Sequence, residues 1–400
     1  MRRVALTAVL GSLLAGCAGP DGKMDPASGA LDTASGTQDA DTLTSCDALA
    51  DATTIVPLES GALADAVRDA SSGDVLGLQI GEYNESHDAI APTVNLTIVG
   101  CGASQTTIQG PTNAPAFELI ADATLEHFTV LQGVKGIEVR GDEAEPRVYI
   151  TGVTVDGAST FGIFVSGSSE VQLTDVQVLN TEPNGEDNFG WGLNMQGGAE
   201  VGVISSIFSS NRTAGVMVDG SMLVMDDSVI NDTLRNDQGL HGRGLQLQNG
   251  SSAQISGSTF SDNYEAAIFA LASNLTLSDS TVENTEEATM RRDDDSAADG
   301  LVLTRGGDLE HAGTDFALVI DRVQFNNNRR AGLVIDGVTV DLAVSDSSWD
   351  GNGEYSAVLQ NDGTLSKGSD LDELLELPDA GIVGSTGTFE GIIIDDEPID

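Results

Sequence analysis

The 400-residue sequence is short of basic side chains: 17 Lys and Arg stand against 63 Asp and Glu, a formal charge of −46 at pH 7. A surface of that sign repels nucleic acid and anionic lipid headgroups, and it disfavours polyanionic polysaccharides unless divalent cations bridge the two. No nucleic-acid partner is therefore expected. Cysteine is scarce, with only Cys17, Cys46 and Cys101, and His87, His127 and His311 stand isolated, so neither zinc-ligand spacing nor a Ser/His/Asp arrangement emerges. The apolar stretch Val4 to Leu14 is too short to span a bilayer; behind Arg2-Arg3 it reads as a cleaved export signal.

What the chain does have is a recurring phrase of a small residue, an aliphatic, any residue and another aliphatic. It appears as Gly136-Ile137-Glu138-Val139, Gly162-Ile163-Phe164-Val165, Gly192-Leu193-Asn194-Met195, Gly215-Val216-Met217-Val218 and Gly244-Leu245-Gln246-Leu247. Ala267-Ile268-Phe269-Ala270, Gly300-Leu301-Val302-Leu303 and Gly332-Leu333-Val334-Ile335 continue it. Such recurrence means one supersecondary unit stacked on copies of itself. A second strand follows each phrase, as in Val171-Gln172-Leu173 and Leu223-Val224-Met225, and then a third apolar point: Val178, Phe208, Ile230, Phe260, Val282, Phe325 and Trp349. Alternation puts these inside the coil, where like stacks on like. Just beyond them sit Asn180, Asn211, Asn263, Asn284, Asn328 and Asn352, which are expected to take the left-handed corner and to ladder between coils.

From Gly162 the phrase steps by 30, 23, 29, 23 and 33 residues. The short step is one bare coil, so alternate coils carry an insertion. The insertions 181–191, 232–243 and 284–299 fall at one corner and are expected to form a row along one edge.

Leu63, Ala66, Val67 and Ala70 recur at helical spacing before Ser71-Ser72-Gly73. This helix, then Gly73-Asp74, Gly81-x-Tyr83 and Leu96-x-Ile98-x-Gly100, resembles the opening of pectate-lyase-like right-handed parallel β-helix proteins, over roughly residues 55 to 360. The resemblance implies an all-β solenoid whose open end is plugged by a short N-terminal cap helix. Unpaired backbone at each end of a stack calls for such caps independently. At the far end Asp370 to Leu377 is expected to form a cap helix and Ile392-Ile393-Ile394 a last strand. The β-helix with its N-terminal cap is set at 45–365 and the C-terminal cap at 366–400.

Leu14-Ala15-Gly16-Cys17 resembles the bacterial lipobox, which implies removal of residues 1–16 and lipidation of Cys17. By the same resemblance Ala18, where an aspartate would favour inner-membrane retention, points to the outer membrane. Residues 17–44 read as an acidic tether without hydrophobic period, with a root-mean-square span of roughly 30 Å. Export makes a Cys46–Cys101 disulfide the natural pairing of the remaining thiols.

Enzymes of the resembled superfamily carry carboxylates, Arg or Lys on the outward face of one sheet, commonly with calcium between acidic groups. Here that outward column reads Glu138, Phe164, Asn194, Met217, Gln246, Phe269, Val302 and Val334, and the next reads Arg140, Ser166, Gln196, Asp219, Gln248, Leu271, Thr304 and Asp336. Neither shows two adjacent carboxylates, so the two-acid geometry of glycoside hydrolysis is missing. Asp219 between Gln196 and Gln248 is the most polar patch, suited to sugar hydroxyls. Trp191 and Phe161, each just before an opening strand, are an aromatic pair that would stack on a sugar ring if exposed, although strict alternation turns them inward. Leu240-His241-Gly242-Arg243-Gly244 resembles the glycine-histidine-glycine of polygalacturonase-type hydrolases, but the preceding coil offers Thr213-Ala214 where those enzymes need aspartates.

The expectation is a monomeric, lipid-anchored envelope protein that binds a glycan or an envelope partner, or serves as a spacer, without catalysis. Its ligand-binding residues would be Trp191, Gln196, Asp219 and Gln248. No cofactor or metal site is expected, with calcium admitted only as a weak ligand of loops such as Arg291-Arg292-Asp293-Asp294-Asp295, which lack EF-hand spacing. The competing class is a polysaccharide lyase or glycoside hydrolase working in the three loops through Asp187, Asp237, His241 and Arg243.

Overall fold

The computed structural model describes residues 46–141, 144–183, 189–289, 296–304, 316–361, 363–365 and 380–382. Cys17, the tether, Asp187, the loop Arg291 to Asp295 and the expected C-terminal helix and strand lie outside the described residues.

The described chain winds through three parallel sheets of 13, 11 and 12 strands, each strand pairing with its counterpart one coil away. This is a right-handed parallel β-helix. In each coil a strand of the third sheet carries the opening phrase, for instance Phe161–Gly167; the first sheet follows with Glu170–Thr174 and the second with Gln177–Leu179. Inward side chains stack in register: Val178 on Phe208, then Ile230, Phe260, Val282, Phe325 and Trp349. Nearly all are fully buried and belong to one continuous core.

The glycine that opens each phrase has a steric cause. A Cβ on Gly162 would meet Val178 Cγ1 at 2.2 Å, and one on Gly136 would meet Val155 Cγ1 at 2.2 Å. The missing side chain therefore points into the interior, as does the following Ile163, and strict alternation breaks at the glycine. The residue before it emerges on the outside. This corrects the inward placement of Phe161 and Trp191: both are buried, yet in a cluster with Phe164, Phe189 and Met217 on the outer face.

Corners between the second and third sheets divide the asparagine column in two. Asn211, Asn263, Asn328 and Asn352 turn inward; the amide of Asn263 donates to Ile230 O at 3.1 Å and accepts from Thr233 N at 3.2 Å, tying one coil to the last. The left-handed residue is the one before, Ser210, Asp262, Asn327 or Gly351. Asn180 and Asn284 occupy that left-handed place themselves, with buried Thr181 and Thr285 behind them. At the corner between the first and second sheets a serine ladder was not anticipated. Ser206, Ser228, Ser258 and Ser280 each accept from the backbone N–H of the ladder position one coil before, at 3.0–3.2 Å.

The helix α1, Ala62–Asp69, covers the open N-terminal end with Leu63 and Val67. Glu85 accepts from the N–H groups of Leu63 and Ala64 at 3.0 and 3.2 Å, satisfying donors that a helix start leaves open. Burial raises the carboxyl's pKa. Cys46 and Cys101 are disulfide bonded, pinning the chain before the first strand to an early coil. At the far end Gly381–Ile382 extends the third sheet beyond residue 365 by pairing with Tyr355–Gln360.

Candidate functional site

The outer face of the third sheet carries the two columns in the register expected. Glu138, Phe164, Asn194, Met217, Gln246 and Phe269 are successive partners, and beside them run Arg140, Ser166, Gln196, Asp219 and Gln248. One carboxylate was missed. Strand Phe117–Leu119 places Glu118 directly against Glu138, so the column does begin with two adjacent acids. Both are charge-paired: Glu118 with Arg140 at 2.9 Å and Glu138 with Lys135 at 2.6 Å.

Midway along this face lies a cavity of about 380 Å³. One wall is aromatic. Phe161 packs on Trp191, Phe164 and Phe189 with ring centroids 5.4, 5.1 and 5.1 Å apart, and Phe189 meets Trp191 edge-on at 5.2 Å. Phe161 and Trp191 are buried backing, whereas Phe164 and Phe189 are partly exposed at the cavity. Met217 closes the floor.

The opposite edge is polar: Gln196, Asp219, Gln248 and Asn249. Asn249 Nδ2 donates to Asp219 Oδ1 at 2.6 Å, and Gln248 Nε2 approaches Asp219 Oδ2 at 3.5 Å. Gln246 Nε2 donates to Gln248 Oε1 at 3.2 Å, so the edge is held as a network. All four residues expected to bind a ligand, Trp191, Gln196, Asp219 and Gln248, thus line one cavity. Asn194 and Trp191 also line the cavity, with Asn194 Oδ1 and Trp191 Nε1 themselves shut off from its open space and without a hydrogen-bond partner. Phe164, Phe189, Met217 and Asn194 were not singled out as a site; Asn194 and Met217 were legible as column positions, but Phe189 lies in an insertion without period.

The described parts of the three insertions are linked in a row. Arg212 bridges from Glu182 at 2.7 Å to the carbonyl of Arg235 at 3.0 Å, and Arg235 donates onward to Glu287 O at 3.2 Å while stacking over Tyr264. Within the third insertion, Ala288–Thr289 pairs antiparallel with Ser296 and Ala297 at the start of strand Ser296–Thr304.

His241 and Arg243 meet, but away from solvent. Arg243, fully buried, donates from Nε to Glu265 Oε1 at 2.6 Å and from Nη1 to Gln246 Oε1 at 2.7 Å, with its guanidinium 3.7 Å from the Phe269 ring centroid. His241 Nδ1 lies 3.3 Å from the other Glu265 oxygen. Burial pushes the Glu265 carboxyl up, and the Arg243 charge with the His241 hydrogen bond outweighs it, holding the pKa at about 2. Glu265 was not foreseen, since its left-handed backbone at φ 58° carries no sequence mark. Asp237 instead turns to Arg212 at 3.7 Å with its side chain 67% exposed. It does not share a solvent-facing groove with His241 and Arg243.

A family model described as a right handed beta helix region matches residues 135–308. No curated protein matches the sequence. Among solved structures, pectate lyase Pel9A is similar with a TM-score of 0.49 and 10% identity, over 76% of this chain and 82% of that one. The alginate lyase of Paenibacillus sp. FPU-7 is similar with a TM-score of 0.48 and 16% identity, over 68% and 96%. The mannuronan C-5 epimerase AlgE4 A-module of Azotobacter vinelandii gives 0.43 and 16%, over 80% and 89%. What the chain has in common with the matched family region is the right-handed parallel β-helix.

Proposed function

We propose that this protein is an exported, lipid-anchored module of the cell envelope whose β-helix holds a glycan without cleaving it. The site is the cavity between the Phe164–Phe189 wall and the Asp219–Gln248 edge. One observation carries the reading: a single cavity joins aromatic faces to a fixed network of amides and one carboxylate. A sugar ring needs both, since its faces are apolar and its rim bears hydroxyls. Anchoring rests on the sequence around Cys17, which favours an outer-membrane protein standing off the lipid on residues 17–44. A glycan array run on the full-length protein, with and without calcium, tests the binding; radiolabelled palmitate incorporation lost in Cys17→Ser tests the anchor.

A second reading, polysaccharide cleavage, is favoured by the adjacent Glu118 and Glu138. Their pairing with Arg140 and Lys135 supports a structural role instead, and the burial of His241 and Arg243 around Glu265 supports the same for that cluster. Reducing-end release from any polysaccharide, abolished by Glu118→Gln or Glu138→Gln, would establish cleavage over simple binding.

A further inference from the structure

Four acids on the third sheet hold cations of their own: Glu118 pairs with Arg140, Glu138 with Lys135, Glu265 with Arg243 and Asp299 with Arg330. Asp219 is held differently. Its Oδ1 accepts from Asn249 Nδ2 at 2.6 Å and its Oδ2 from Gln248 Nε2 at 3.5 Å, and among the described residues no cation pairs with it. Neutral amides orient a carboxylate without cancelling its charge. Asp219 is partly exposed, lines the cavity and stands between Gln196 and Gln248 in its column. None of the described residues that line the cavity is basic. The aromatic wall itself accepts a cation: the Lys135 ammonium lies 4.2 Å from the Phe164 ring centroid, with Glu138 as its counter-charge.

Resting on the sugar-binding reading, we infer that the cavity prefers a cationic amino sugar, whose ammonium meets the Asp219 carboxylate while its ring lies against Phe164 and Phe189. A hydrogen bond between two charged groups is roughly twice as strong as one between neutral groups. A plain hexose keeps the aromatic wall and the amides of the edge but brings only neutral donors to Asp219, so it binds the same cavity more weakly. N-acetylation removes the charge of the amine and with it the advantage. A uronate sets a second carboxylate against the first, and like charges brought together oppose binding.

The test is calorimetric titration of the full-length protein with four tetrasaccharides: the β-1,4-linked glucosamine tetramer, its N-acetylated form, cellotetraose and tetragalacturonate. It is run at pH 6, where the amines are charged, and at 0.15 M salt, where a Debye length of about 8 Å screens the diffuse field of the acidic surface. The glucosamine tetramer is expected to bind at least tenfold more tightly than the other three. Asp219→Asn, which keeps the side-chain shape, is expected to erase that preference. Glu82→Gln, an equal loss of charge at an exposed position on the second sheet, is expected to preserve it. A thermal melt of each variant confirms folding. Equal affinity for cellotetraose, tighter binding of the N-acetylated form or the uronate, or an undiminished preference in folded Asp219→Asn overturns the cationic assignment while leaving sugar binding standing. Binding of none of the four, together with a blank glycan array, overturns sugar binding itself.

Discussion

The guanidinium of Arg243 is sealed against the carboxylate of Glu265, one coil away, with both side chains shut off from water. A buried pair of this kind is weak evidence for net stability, but removing one partner is costly because the other charge stays buried. Glu265→Ala is therefore expected to destabilise the solenoid by about 3–5 kcal/mol, measured by urea unfolding. Joint replacement of Arg243 and Glu265 by Met and Leu is expected to recover most of that loss.

The same carboxylate gives a pH signature. Its folded pKa, about 2, lies below the unfolded value, so its contribution is fully present above the unfolded carboxylate range. It is lost as pH falls from that range towards about 2. Urea midpoints followed from pH 6 to pH 2 should decline more steeply for the native chain than for Glu265→Gln.

Gly162→Ala places a methyl group into Val178 and the carbonyl of Gly192. The expected cost is about 1–3 kcal/mol, from overpacking a close-packed core. At Gly157, where a Cβ would meet nothing within 4 Å, only the left-handed backbone at φ 70° opposes alanine, and the cost should be nearer 1 kcal/mol. Chemical denaturation of the two variants separates packing from backbone strain.

Asn263→Ala strips two backbone groups, Ile230 O and Thr233 N, of their buried side-chain partner. Each orphaned group is expected to cost about 1–3 kcal/mol. Asn180→Ala removes only an exposed bond to Asp156 and should cost well under 1 kcal/mol beyond the strain of its left-handed backbone. Hydrogen exchange would localise the first loss to the corners around Thr233.

These contrasts show what the sequence made legible. The opening phrase, the third apolar points and the step lengths announced coils, core and decorated edge, because stacking forces like residues to recur at like positions. The two outward columns could be written down residue by residue, which is why Gln196, Asp219 and Gln248 were found beside one another. Phe161 and Trp191 were turned the wrong way, since the alternation rule fails where a glycine leaves room for its neighbour's side chain. Glu118 was missed because its short strand lacks the opening glycine, and Phe189 and Glu265 because corner geometry, rather than period, places them. The inward asparagines were merged with the left-handed ones because the two positions are adjacent in sequence and differ only in backbone conformation.

The cavity beside Asp219 is the proposed glycan site. Isothermal titration of the full-length protein and of Phe164→Ala with neutral oligosaccharides is its most direct test, since Phe164 is partly exposed and its loss spares the solenoid core. Saturable binding without turnover, weakened about tenfold or more in Phe164→Ala, is the predicted result, in keeping with a lost stacking contact of about 1.5 kcal/mol. Binding that Phe164→Ala leaves unchanged, or degradation of the oligosaccharide during the titration, would contradict it.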